Sequence, residues 1–160
     1  MSFREKSVLF IATGCFIGRL PYAPGTFGTL AGLPICFILS RIDFRITTLC
    51  IVLFLLAGIW ISGKAEKILK KEDPGSVVID EIAGIMIALA GIPFNAVWVG
   101  LGVILFRLLD IVKPFPVKYI EARFSGGTGI VLDDAAAGLM TNAIIRIIML
   151  LAGRFHFSIT

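Results

Sequence analysis

Apolar segments set apart by short polar ones dominate this chain, and they restrict its fold more than any other feature. Five run over roughly 7–18, 28–40, 46–62, 77–109 and 132–153. The fourth is interrupted at Gly91-Ile92-Pro93-Phe94-Asn95, where a proline and a turn former break the helical pattern, so a helical hairpin is expected there. Hydrophobic residues make up 58% of the sequence and charged ones 16%, with a mean hydropathy of +0.97. A water-soluble domain rarely has that composition, because it would leave apolar patches that aggregate. The expected fold is all-α, a polytopic integral membrane helical bundle with about five membrane-spanning helices, forming one membrane-embedded domain over residues 1–160.

Two segments are short for that role. Residues 77–91 number 15, about 22 Å as a helix, against a hydrocarbon core of ~30 Å. They span only if their ends are drawn into the interface or the bilayer thins locally. Residues 7–18 are too few to span and are expected to form a short N-terminal interfacial or re-entrant helix, with Gly14 and Gly18 allowing close packing. Arg4 and Lys6 precede this stretch, but no small-x-small cleavage site follows, so a signal peptide is not expected. Cys15, Cys36 and Cys50 sit in apolar runs without metal-type spacing and are expected to be small hydrophobes, not a disulfide framework.

The basic residues give the sidedness. If the segment beginning near Phe27 starts in the cytoplasm, the inner side carries Arg4, Lys6, Arg19, Lys64, Lys67, Lys70, Lys71, Arg107, Lys113, Lys118 and Arg123, eleven residues. The outer side carries three, Arg41, Arg45 and Arg154, while Arg146 lies within the last apolar run. That is a positive-inside bias. The net charge of +4 is modest, and the basic residues neither cluster with aromatics nor dominate one segment, so no nucleic-acid partner is expected.

On this topology three polar constellations share the inner side. Pro21 to Thr29 contains Gly25, Thr26 and Gly28 just before a helix, where glycines let backbone N–H groups approach an anion. A proline-stiffened turn with Thr29 as the helix cap explains the same residues. Asp80 and Glu81 enter an apolar run, where ionisable groups are costly and are expected to be paired or metal-bound. Arg107 and Asp110, spaced i,i+3, share a helix face ahead of Lys113-Pro114. Gly126-Gly127-Thr128-Gly129 forms a loop able to wrap a phosphate, and Asp133-Asp134 open the last helix.

Clustered carboxylates with no nearby histidine suit a hard cation such as Mg²⁺. His156, the only histidine, lies near the far end of the chain on the opposite side. No cysteine-x5-arginine loop or Asp-x-Asp nucleophile motif occurs. Hydrolysis would then use metal-activated water, with Arg107 or Lys113 clamping a phosphoryl oxygen.

Four stretches in order carry a family resemblance: Pro-x-Ala-Pro-Gly-Thr-x-Gly-Thr-Leu at 21–30, Asp-Pro-x-x-Val-Val-x-Asp-Glu-x-x-Gly at 73–84, Phe-Arg-x-x-Asp-x-x-Lys-Pro-x-Pro at 106–116, and Gly-Gly-x-Gly-Ile-x-x-Asp-Asp-x-x-Ala-Gly at 126–138. Together they resemble the phosphatidylglycerophosphatase A family. The resemblance implies a Mg²⁺-dependent lipid phosphatase that removes the terminal phosphate of phosphatidylglycerophosphate to give phosphatidylglycerol. It would work in glycerophospholipid biosynthesis, on a phospholipid in the cytoplasmic leaflet of a bacterial inner membrane. It implies catalytic roles for Asp80, Glu81, Asp110, Lys113 and Asp134, metal binding by Asp80, Glu81, Asp133 and Asp134, and phosphate binding by Gly25, Thr26, Gly28, Arg107, Lys113, Gly126 and Gly127. Phe16 and Leu20 depart from the family's pattern, so residues 14–20 are left out of the site. The alternatives are a phosphatase for another lipid phosphate, a transporter component with a carboxylate-lined ion site, and a non-catalytic assembly subunit. A transporter would spread ionisable residues through the bilayer depth; here they collect at one face.

Overall fold

The computed structural model describes residues 1–157, with side-chain surroundings through residue 152. The side chains of Arg154 and His156, assigned to the outer side from sequence, lie outside the described residues. Among those described the chain is all-helical, with seven α-helices and no strand: α1 (Phe3–Ala12), α2 (Pro24–Leu39), α3 (Phe44–Leu69), α4 (Ile79–Ala88), α5 (Ala96–Val112), α6 (Val117–Arg123) and α7 (Gly126–Phe157), plus a 3-10 turn at Ile17–Arg19.

The centre of the bundle is its shortest core helix. Nine of the ten α4 residues are buried, all but Glu81, and α2, α3, α5 and α7 pack around it. The outer helices turn apolar side chains outward; on α3 these include Leu49, Leu53, Leu56 and Trp60, one face at helical spacing. Two helices, α3 and the stretch of α7 from Gly126 to Ala152, are long and apolar enough to cross a membrane. That is fewer than the five expected. Helix α2 has 16 residues and α5 has 17, while α4, with ten, is only about 15 Å long.

Sequence could not show why α4 stops so early. A helix ending among apolar neighbours leaves carbonyls in need of donors. Asn142 Nδ2, from α7, donates to the carbonyls of Ile87, Ala88 and Ala90 at 3.2, 3.0 and 2.9 Å. Arg146 Nη2 donates to Ala90 at 3.0 Å, and its Nε donates to Asn142 Oδ1 at 2.7 Å. The arginine inside an apolar run is thus a helix-end cap. The chain then turns at Gly91 (φ +66°), and Asn95 caps α5 by accepting from the amides of Val97 and Trp98 at 3.1 Å. This is the expected hairpin break.

Three further differences bear on the site. Helix α1 ends at Ala12, whose carbonyl accepts from Val78 N at 2.9 Å; Gly14 then packs on Val78 and Gly18 on the Ser76 backbone, as expected of close-packing glycines. Helix α2 begins at Pro24, a residue suited to the first helical position. Gly25 to Thr29 are therefore helix and not loop, and Thr29 Oγ1 donates back to the Gly25 carbonyl at 2.9 Å instead of capping. Helix α7 begins at Gly126, so the glycine-rich stretch is a first turn and Asp133-Asp134 lie about two turns inside.

Candidate active site

The site is built on a helix crossing. A Cβ on Gly138 of α7 would collide with the carbonyl oxygen of Gly84 on α4, and a Cβ on Gly84 would run into the Phe106 ring and stand 3.0 Å from the Asp134 carbonyl. The two backbones therefore touch. Asp80 lies one turn before Gly84 and Asp134 one turn before Gly138, so the crossing carries both acids to the same place. Glu81 joins them: one carboxylate oxygen from each of Asp80, Glu81 and Asp134 lies within 4.8 Å of the other two.

These groups are poorly satisfied by the protein itself. Asp80 is 8% exposed and Asp134 4%, and Asp80 Oδ1, Glu81 Oε2 and Asp134 Oδ2 are buried without a hydrogen-bond partner. Unpaired buried acceptors are costly, and three carboxylates together repel one another. An oxygen-seeking divalent cation relieves both penalties, so the residues present fit Mg²⁺.

Beside the acids stands Arg107 of α5. Its Nη1 lies 2.7 Å from Asp110 Oδ2 and 3.9 Å from Glu81 Oε1. Its Nε and Nη1 nevertheless make no hydrogen bond, because the short approach to Asp110 is off the N–H direction. The guanidinium is held by charge with donors to spare. Gly25 explains how α2 comes so close. A Cβ there would stand 2.7 and 2.9 Å from Arg107 Nη2 and Nη1 and would strike Glu81 Oε1. The first turn of α2, with its free N–H groups, thus rests on the arginine–glutamate pair. Gly28 packs against Val78, at the start of α4, with its Cβ position 2.7 Å from Val78 Cβ. Thr26 is half-buried beside them.

Lys113 caps α5 in a left-handed conformation (φ +47°) and donates to Glu121 Oε1 at 2.7 Å and Asp133 Oδ2 at 2.8 Å. Burial works to lower its pKa, but the hydrogen bonds and charges of Asp133 and Glu121 outweigh that and hold the ammonium above the usual lysine range. Asp133, expected among the metal ligands, is thus brought to Lys113 and not into the group formed by Asp80, Glu81 and Asp134. Gly127, expected to cradle phosphate, packs on the Ile59 carbonyl and Gly63 backbone of α3, while Gly126 borders a cavity.

A cavity of about 260 Å³ joins the acids, Asp110 and Lys113, with Asp73, Gly75 and Ile111 at its border. A second, of about 490 Å³, adjoins it through Asp73, Ile130 and Asp133 and is also bordered by Glu66, Glu72 and Glu121. Asp73 and Glu121 were not singled out from sequence. Asp73 stands within the Asp-Pro stretch ahead of Asp80 and could have been read from it. Glu121 carried no signal, since it lies on α6, a helix of seven residues that the apolar pattern does not mark.

Most of the chain is similar to known proteins. The family described as phosphatidylglycerophosphatase A matches over residues 10–149. The chain is 33% identical over 139 residues to the phosphatidylglycerophosphatase A of Escherichia coli strain K12, covering 86% of this chain and 81% of that one. It is 36% identical over 131 residues to the protein of the same name from Haemophilus influenzae, covering 81% and 80%. It is also 39% identical over 147 residues, covering 87% and 91%, to a Bacteroides thetaiotaomicron protein whose name provisionally assigns it phosphatidylinositol-3-phosphatase activity. No solved structure matches.

Proposed function

Because the chain belongs to the phosphatidylglycerophosphatase A family, we propose that it is a Mg²⁺-dependent lipid phosphatase that hydrolyses the terminal phosphomonoester of phosphatidylglycerophosphate to phosphatidylglycerol, in glycerophospholipid biosynthesis. The observation that carries the reading is the group of three acids, each with a buried unpaired oxygen, beside an arginine with unused donors.

Asp80, Glu81 and Asp134 would hold the cation. Mg²⁺ bound there would supply Lewis acidity toward a phosphoryl oxygen and the attacking water. Arg107 turns its free N–H donors to the phosphate, where a planar guanidinium matches two oxygens at once. Asp110 orients Arg107 from one side and borders the cavity, placed to take the proton of the attacking water. Lys113 offers its ammonium to the phosphate, and Asp133 and Glu121 fix its position. Gly25 lets the N-terminus of α2 approach the anion, with Thr26 and Gly28 in the same turns; Gly126 borders the adjoining cavity, and Gly127 sets α7 against α3.

The protein works as a multi-pass protein of the bacterial inner membrane, its site facing the cytoplasm. In this reading α3 and α7 cross the bilayer, and α2 and the hairpin of α4 and α5 complete about five passes. The eleven-to-three distribution of basic residues supports that orientation.

The Bacteroides relative favours a second reading, in which the same site serves another lipid phosphate. Phosphate release in detergent from phosphatidylglycerophosphate and from phosphatidylinositol 3-phosphate, with Mg²⁺ or a chelator, decides between them. Faster release from phosphatidylglycerophosphate that chelation abolishes is expected. Release from the inositol lipid alone would overturn the headgroup, and release indifferent to chelation would overturn the metal.

A further inference from the structure

A phosphate carried on a lipid must reach the site while its acyl chains stay in the bilayer, so the route of entry matters. The larger cavity is bordered by Glu66, Glu72, Asp73, Glu121 and Asp133 and by no basic side chain. Glu121 and Asp133 share the charge of Lys113, but Glu66, Glu72 and Asp73 make no ion pair among the described residues. Such a mouth attracts cations and repels a phosphate dianion.

The smaller cavity offers a different border. Ile111 lines it next to Asp110 and Lys113, yet Ile111 is 70% exposed. It ends an exposed apolar stripe along α5 formed with Val97, Ile104 and Leu108, at the spacing of one helix face. Gly75 also lines the cavity, and an added Cβ there would have no atom within 4 Å. The border is therefore open at Gly75 and apolar at Ile111, and the apolar part is continuous with a helix face.

We propose that the substrate lipid enters sideways over α5, its headgroup passing between Ile111 and Gly75 while its acyl chains lie along the face of Leu108 and Ile111. This rests on the lipid phosphatase reading and adds to it the surface that receives the chains. Both cavities are rich in carboxylates, but only the smaller one has a basic side chain: the larger mouth passes cations and water, and the anionic headgroup arrives where Lys113 joins the acids that would hold the cation.

The test is Ile111→Trp, which narrows the opening without replacing a catalytic group, compared with Leu139→Trp on the exposed face of α7. Kinetics with phosphatidylglycerophosphate at varied mole fraction in mixed micelles, together with inhibition by inorganic phosphate, give the readout. Sideways entry predicts that Ile111→Trp raises the KM for the lipid about fivefold or more, with kcat and the phosphate inhibition constant within about twofold of wild type. Leu139→Trp should change none of them. Gly75→Phe, at the open part of the border, should repeat the effect and guards against misfolding of the first variant. A fall in kcat without a rise in KM, a matching loss of phosphate inhibition, or no change in either variant overturns the proposal. Failure of the wild type to release phosphate from any lipid would instead sink the underlying phosphatase reading.

Discussion

The carbonyl oxygen of Gly84 occupies the space that a Cβ on Gly138 would need. This contact lets α4 and α7 cross closely enough for acids one turn away on each helix to bring carboxylate oxygens within 4.8 Å of one another. Gly138→Ala should force the helices apart, cost about 1–3 kcal/mol of stability as overpacking does, and remove most activity. Gly58→Ala on α3 is the control, because a Cβ there would meet only Val131, at 3.7 Å and beyond, which is ordinary contact. Apparent Tm in detergent, measured with and without Mg²⁺, checks both: the first variant should lose the Mg²⁺-dependent rise and the second should keep it.

The residue types of the site were legible in the sequence, but the shape of the backbone carrying them was not. Asp80, Glu81, Arg107, Asp110, Lys113 and Asp134 were placed on one side by counting apolar segments; all but Arg107 line one cavity together with Asp133, and Arg107 stands against Asp110 and Glu81. The glycines misled. Glycine is a poor helix former, so Pro-Gly-Thr-x-Gly and Gly-Gly-x-Gly look like loops. Here Gly25 and Gly127 lie in helix turns because Arg107 and the Gly63 backbone leave no room for a side chain. Asp133 and Asp134 could have been separated in advance, since neighbours on a helix point about 100° apart and only one can face Asp80. The short α4 could not, because its end is fixed by Asn142 and Arg146, more than fifty residues later in the chain.

Removing one of the shared carboxylates should affect stability and function in opposite directions. Asp134→Asn relieves repulsion among three clustered acids, so the chelated variant should be more stable than chelated wild type, by on the order of 1 kcal/mol. Added Mg²⁺ should stabilise wild type, as a ligand bound only to the folded state must, and should leave the variant unmoved and inactive. A variant that still gains stability from Mg²⁺ would show that the cation binds elsewhere.

Arg107→Lys keeps a positive charge near Asp110 and Glu81 but removes the fork of donors. Stability should change by less than about 1 kcal/mol, while kcat should fall on the order of 100-fold, the usual loss when a group stabilising transition-state charge is removed. Thermal melts and turnover measured on the same preparation separate the two effects. Equal turnover in the lysine variant would reduce Arg107 to a structural ion pair.

Lys113 is charged and paired at the border of the cavity. Its folded pKa is raised, because Asp133 and Glu121 outweigh the effect of burial. The stability lent by this pairing is therefore fully present below the unfolded lysine value, about 10.4, and is lost only as pH rises through the elevated folded value. Across about pH 6 to 9 the ammonium stays charged, so the activity ratio of wild type to Lys113→Met should be constant over that window. Asp133→Asn removes one partner and brings the folded value down toward that of an ordinary lysine. The alkaline loss of stability should then still begin near the unfolded lysine value but be smaller and end at lower pH than in wild type, as followed by apparent Tm from neutral pH upward. An activity ratio that falls with pH inside the window would mean that Lys113 titrates there and that Asp133 and Glu121 do not hold its proton.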